Sequence, residues 1–232
     1  MSGALLAVER LDAFYGDFQA LFGVDLEVGH GQTVALIGAN GAGKSTLLKS
    51  LLGMVRVGSG RIAFDGRDVT RRAPHLAARD GIAISPEGRR LFASLTVEEN
   101  LRIGRGRPGR RWSLEAVWEL FPALRERRAA PATLLSGGQQ QMVAIGRALL
   151  LEPALLLLDE ISLGLAPAVV GEVYQCLARI GEAGVAVVLV EQDIGLALQA
   201  SSRAVVMREG RVVLAGASSQ LARERISQAY FG

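Results

Sequence analysis

Apolar residues along the chain follow two periods in turn. Val24, Leu26 and Val28 alternate with Asp25, Glu27 and Gly29, the two-residue repeat of a half-buried strand. Thr33–Gly38 (TVALIG) is a short apolar run ending in glycine. Lys44–Gly53 (KSTLLKSLLG) then reads as a helix with a glycine stop. Ser59–Gly66 (SGRIAFDG) predicts a short strand between turns, and Gly81–Ser85 (GIAIS) another, ended by Pro86. From Val97 to Leu149 the pattern changes. SLEAVWELF and QQQMVAIGRALL are helical, arginines are many, and the stretch predicts a mostly helical insert with a solvated loop at Arg105–Arg111. Strands and helices then alternate again through ALLLLD, VVGEVYQCLARI, VAVVLV and IGLALQ. RAVVMREGRVVLAG predicts a hairpin turning near Glu209–Gly210.

Alternating strands and helices imply an α/β fold with a parallel sheet covered by helices. ALLLLD and VAVVLV are nearly all apolar, as strands covered on both faces must be. The 232 residues suffice for one large α/β domain or two small ones, and half of them are hydrophobic, so the chain is globular. No apolar run approaches the ~18–20 residues of a membrane span. The N-terminus lacks the pattern of a signal peptide. The chain is therefore expected to be soluble, with any membrane role acting through a partner. The single cysteine, Cys176, cannot form an internal disulfide, and its apolar helical setting predicts a buried structural thiol. A net charge of only +3, with no basic stripe interleaved with aromatics, argues against nucleic acid as a partner. His30 and His75 lack the spacing of a zinc site, and Trp112 and Trp118 read as packing residues.

The chemistry concentrates at Gly38–Thr46 (GANGAGKST), which matches G-x-x-x-x-G-K-[ST] between a strand and a helix. Gly38, Ala39, Asn40, Gly41, Ala42 and Gly43 form a loop whose backbone N–H groups can turn inward around a phosphate chain. The helix start adds its positive dipole end. Lys44 is placed to reach the β- and γ-phosphates of ATP and Ser45 to bind Mg²⁺, and Thr46 belongs to the same nucleotide-binding stretch. Asp159 and Glu160 follow four leucines, at a strand end beside that loop. Asp159 is expected to hold Mg²⁺ through water, and Glu160 to polarise the attacking water.

Leu134–Gln141 (LLSGGQQQ) opens a helix just before the Asp159 strand, and it resembles the LSGGQ signature of ABC-type ATPases. Ser136, Gly137, Gly138 and Gln139 then form a second anion site, which in that family closes on the nucleotide of another ATPase domain. The resemblance covers essentially the whole chain. It implies a P-loop NTPase (RecA-like) core at 1–87 and 150–232, with an antiparallel β subdomain, and a helical subdomain inserted at about 88–149. Tyr15, in AFYG, looks like the aromatic that stacks on adenine. Glu87, in SPEGRRLF, stands where the family has its Q-loop glutamine near Mg²⁺, and Ile161–Pro167 (ISLGLAP) is the D-loop. Ile161 takes the place of a proline and Ala166 that of an aspartate.

SPEGRRLFASLTVEENL, SLGLAP, VEQ and the ending AYFG are similar to LivF-type branched-chain amino acid importer ATPases, and the ATPase subunits of urea or amide importers, close relatives, are the alternative within the class. This implies an ATP-hydrolysing subunit on the cytoplasmic face of the bacterial inner membrane. Its partners would be two transmembrane permease subunits, a LivG-type second ATPase or a second copy, and, indirectly, a solute-binding protein. A soluble ABC ATPase acting on nucleic acid or ribosomes is the alternative of another class. Such proteins typically carry a coiled-coil insertion or two ATPase domains in one chain, and neither is present. The run Val187–Asp193 (VVLVEQD) is expected to end at the nucleotide crevice with its polar tail facing the γ-phosphate. Gln192 there occupies the position of the family's switch histidine, sensing phosphate by hydrogen bond without taking a proton.

Overall fold

A computed structural model describes residues 3–104 and 111–231. Four strands form an antiparallel sheet: β1 (Leu6–Tyr15), β2 (Phe18–Val28), β4 (Arg56–Phe64) and β5 (Arg67–Asp68), in the order β2-β1-β4-β5. Six form a second sheet: β3 (Thr33–Ile37), β6 (Ile82–Ser85), β7 (Leu155–Asp159), β8 (Ala186–Glu191), β9 (Arg203–Arg208) and β10 (Arg211–Ala217). Their order is β10-β9-β3-β8-β7-β6, and all neighbours are parallel except the β9–β10 hairpin. The helices are α1 (Lys44–Leu51), α2 (Val97–Arg102), α3 (Leu114–Leu120), α4 (Pro122–Arg125), α5 (Gly137–Leu149), α6 (Pro167–Glu182), α7 (Ile194–Ala200) and α8 (Arg223–Phe231).

The apolar strands β7 and β8 are buried along their whole length, because they feed two cores at once. Leu155, Leu157, Val188 and Val190 pack with α1 and the antiparallel sheet. Leu156, Leu158, Val187 and Leu189 pack with residues of α2, α3, α5 and α6. Each such leucine or valine contributes about 1.5–3 kcal/mol on burial. Between β6 and β7 the described chain forms α2 to α5, and Trp112 and Trp118 are both buried there. Helix starts are set locally: Thr96 and Glu99 form a capping box on α2, and Ser113 caps α3. The polar loop expected at 105–111 lies, but for Arg111, outside the described residues.

Two expected strands are longer than their alternation suggested: the Val24–Val28 strand begins at Phe18, and the Ser59–Gly66 strand at Arg56. Strand β1 gave no clear period because a register shift falls between Val8 and Leu11. Arg10 there stands at φ +44° and donates its N–H to Asp25 Oδ1 at 2.8 Å. Cys176 is buried in α6, with its thiol on the Leu120 carbonyl at 3.4 Å, and burial pushes its pKa up. Among the described residues no helix is long and apolar enough to cross a membrane.

Candidate active site

Strand β3 ends at Ile37 and delivers Gly38 against β9, where a β-carbon would lie 2.4 Å from the Met207 carbonyl oxygen. Gly41 and Gly43 hold φ of +82° and +102°, which lets the loop double back into α1. Ala42 N–H closes a turn on the Ala39 carbonyl at 3.1 Å. Lys44, 4% exposed, donates to the carbonyls of Gly38 (2.7 Å) and Ala39 (3.0 Å), and its Nζ lies 3.5 Å from Glu160 Oε1. Ser45 Oγ donates to Asp159 Oδ1 at 3.3 Å.

Glu160 takes the left-handed conformation, φ +50°, with its N–H on the Val190 carbonyl at 3.1 Å. The turn points its carboxylate at Lys44. Gln192 Nε2 bridges the same carboxylate (2.8 Å to Oε2) and Asn40 Oδ1 (3.0 Å). Lysine, general-base candidate and sensor candidate thus meet in one cleft of about 770 Å³, whose lining also includes Ser45, Thr46, Glu87 and Tyr15. Tyr15 is half-exposed at the end of β1, with Lys49 Nζ 5.9 Å from its ring centre.

Burial raises the Asp159 carboxyl above its usual range. The Ser45 hydrogen bond opposes that shift, and the Glu160 and Glu87 charges add to it. A buried carboxylate beside a serine hydroxyl, at the mouth of a phosphate loop, is a donor set that suits Mg²⁺. That ion takes one or two protein oxygens and leaves the rest to water and phosphate. A larger cleft, about 950 Å³, lies over β4 and β5. It is lined by arginines partly matched by aspartates, as in the Arg61–Asp68 (3.3 Å) and Arg72–Asp80 (3.1 Å) pairs, and by no residue of the phosphate loop.

The structure does not bring every expected residue together. Ser136, Gly137, Gly138 and Gln139 do not line the Lys44 cleft. They open α5 as a capping box: Ser136 Oγ accepts from Gln139 N–H (3.3 Å) and Gln139 Oε1 from Ser136 N–H (3.1 Å). Gly138 is pressed against Val169 of α6, where a β-carbon would lie 2.0 Å from Cγ1. The polar tail of β8 also departs from expectation, since only Gln192 faces the phosphate loop. Glu191 is 2% exposed and turns away, its Oε1 accepting from Ser162 N–H (3.2 Å) and its Oε2 from Ser162 Oγ (2.7 Å). Asp193 caps α7, accepting from Leu196 N–H at 2.9 Å. The reason is the strand's two-residue alternation: neighbours point to opposite faces.

Other contributors are invisible to local patterns. The β9–β10 turn backs the phosphate loop: Gly210 N–H donates to Ala42 O (3.0 Å), and Phe22 N–H to Gly210 O (2.9 Å). Asn100, fully buried, holds the loop behind Glu87. Its Oδ1 accepts from Phe92 N–H (2.8 Å), and its Nδ2 donates to the carbonyls of Phe92, Leu95 and Thr96 at 3.0–3.2 Å. Only the fixed offset between Phe92 and Asn100 could have hinted at this.

A phosphate loop at the end of a parallel strand, with an acidic strand end facing its lysine and a glutamine bridging that strand end and the loop, defines a P-loop nucleoside triphosphatase. Residues 21–162 match the model of the ABC transporter family. The chain is 43% identical to the high-affinity branched-chain amino acid transport ATP-binding protein BraG of Pseudomonas aeruginosa, over 98% of this chain and all of that one. It is 34% identical to the probable branched-chain amino acid transport ATP-binding protein LivF of Archaeoglobus fulgidus, over 94% of each. A nucleotide-free ATP-binding cassette from an ABC transporter superposes with a TM-score of 0.84 at 27% identity, over 99% of both chains. The chain therefore belongs to the ABC transporter family, as an ATPase that binds and hydrolyses ATP.

Proposed function

We propose that this ATPase powers a branched-chain amino acid importer from the cytoplasmic face of the cell membrane. The two relatives named for that transport, matched along nearly their whole length, support the cargo class. The observation that carries the mechanism is the Glu160 carboxylate held between Lys44 Nζ (3.5 Å) and Gln192 Nε2 (2.8 Å). Lys44 and the N–H groups of Gly38–Ser45 bind the phosphates, and Tyr15 stacks on the adenine. Ser45 and Asp159 would hold Mg²⁺, with Glu87 near it, and the ion would supply neutralisation of phosphate charge. Glu160 orients the attacking water and takes its proton. Gln192 supplies a hydrogen bond to the γ-phosphate while steadying the Glu160 carboxylate.

Ser136–Gln139, displayed apart from their own cleft, complete the site of a second ATPase domain, a LivG-type partner or another copy. Two permease subunits dock on the Glu87–Leu95 surface, where Phe92 is half-exposed and Leu91 partly so. A solute-binding protein delivers cargo to those permeases. The test is Glu160→Gln in the transporter reconstituted with its two permeases. ATP binding should persist while hydrolysis and leucine uptake fall to background. Steady-state hydrolysis at the wild-type rate would remove Glu160 from its role, and a wild-type complex that takes up no branched-chain amino acid would remove the cargo assignment.

A further inference from the structure

We propose that Glu191 is a positioning residue for hydrolysis: its buried carboxylate clamps the loop that follows β7 and so fixes Glu160 against Lys44 and Gln192. This rests on the reading of Glu160 as the base.

Glu160 sits in a left-handed conformation that a non-glycine residue keeps only where its surroundings over-determine it. Three consecutive anchors do so. Glu160 N–H is held by the Val190 carbonyl at 3.1 Å. Ile161 is fully buried in the core beneath the helices. Ser162 is held twice by Glu191, through its N–H and its hydroxyl. A rigid ring at 161 is absent, so the turn's shape depends on these contacts.

Successive residues at the end of β8 thus act on successive parts of one turn. Val190 holds the backbone of Glu160, Glu191 the residue two further on, and Gln192 the Glu160 carboxylate itself. Burying a carboxylate is costly, and no arginine or lysine pairs with Glu191 among the described residues. An apolar side chain would fill the space without that cost. What Glu191 alone supplies is two acceptors at the spacing of one serine's two donors. The Tyr174 hydroxyl, buried nearby, also interacts with this carboxylate, and Ser162 is the partner that lies on the Glu160 turn. The consequence is kinetic: with the clamp cut, Glu160 wanders from the water it must orient, while the phosphate loop is untouched.

The experiment compares steady-state hydrolysis and equilibrium ATP binding of the full chain in Glu191→Ala, Ser162→Ala, the double variant, Glu191→Gln and Glu160→Gln. We expect kcat to fall about 10-fold in Glu191→Ala and less in Ser162→Ala, with KM and ATP affinity within about twofold. The double variant should match Glu191→Ala, because both changes cut one contact. Glu191→Gln, which keeps one acceptor, should lie between wild type and alanine. A wild-type kcat in both Ser162→Ala and Glu191→Gln would overturn the proposal even if Glu191→Ala failed to fold. So would effects that multiply in the double variant, or a loss of ATP affinity in step with kcat. Turnover persisting in Glu160→Gln would instead sink the base assignment. Inactive Glu160→Gln beside fully active clamp variants sinks the clamp alone.

Discussion

Replacing Asn100 tests how the loop behind Glu87 is held. In Asn100→Ala, three of the four backbone partners keep another bond: Phe92 O from Leu95 N–H (3.1 Å), Leu95 O from Ala132 N–H (3.1 Å) and Thr96 O from the Asn100 N–H (2.9 Å). Only Phe92 N–H loses its acceptor outright. One orphaned donor costs about 1–3 kcal/mol, and weakening three carbonyls adds about 1 more, so the expected loss is about 2–4 kcal/mol. Asn100→Asp keeps the acceptor for Phe92 N–H but aims an oxygen at three carbonyl oxygens. It should be worse than alanine at neutral pH, with the gap closing as acid protonates the new carboxyl. Equilibrium urea unfolding of the full chain measures both. Stimulation of hydrolysis by the permeases should fall in both variants, while ATP affinity stays. An alanine cost below about 0.5 kcal/mol, or an aspartate variant as stable as alanine at neutral pH, would refute this account.

Gly38→Ala must push the phosphate loop off the Met207 carbonyl, so ATP binding measured by calorimetry should weaken at least about 10-fold. Undiminished affinity would show that the loop tolerates the shift. Gln192→Ala removes a hydrogen bond to a charged group and should lower kcat about 10–100-fold, and the wild-type rate should show no step near the histidine pKa of about 6.5 from this site. Asp12 accepts from Ser59 Oγ (2.6 Å), Gly23 N–H (2.8 Å) and Gln19 Nε2 (3.0 Å), and the first two hold its carboxyl below the ordinary 3.8. A lowered acid stabilises the fold fully above 3.8 and loses that effect as pH falls through its folded value. The Tm difference between wild type and Asp12→Asn should therefore shrink on acidification, and a difference that grows would contradict it.

The parallel strands and the phosphate loop were legible because their signals are local. Four leucines before Asp159 can only be a strand covered on both faces, and GANGAGKST carries its own turn and helix start. Strand β1 was not legible, since the shift at Arg10 breaks its alternation and the compensating contact comes from Asp25. Within VVLVEQD the polar composition was plain but its distribution was not. Which side chain meets the cleft depends on strand phase, and Glu191 finds Ser162 only after the chain has folded back. Asn100 and Gly210 act across loops, through contacts whose partners no period in the sequence links.

The strand that carries the phosphate loop lies between neighbours made much later. Val34 of β3 pairs with Val188 on one side and Arg203 on the other. During synthesis at about 5–20 residues per second, β3 therefore waits on the order of ten seconds with both edges bare. TVALI, apolar and two-edged, is then a template for pairing with other nascent chains. Nucleotide cannot rescue the fold early, because its binding loop is complete only once the Gly210 turn has emerged. The vulnerable window for this ATPase is the ribosome-bound chain, and substitutions that slow β8 or β9 docking should appear as poor yield in the cell before they appear as poor catalysis.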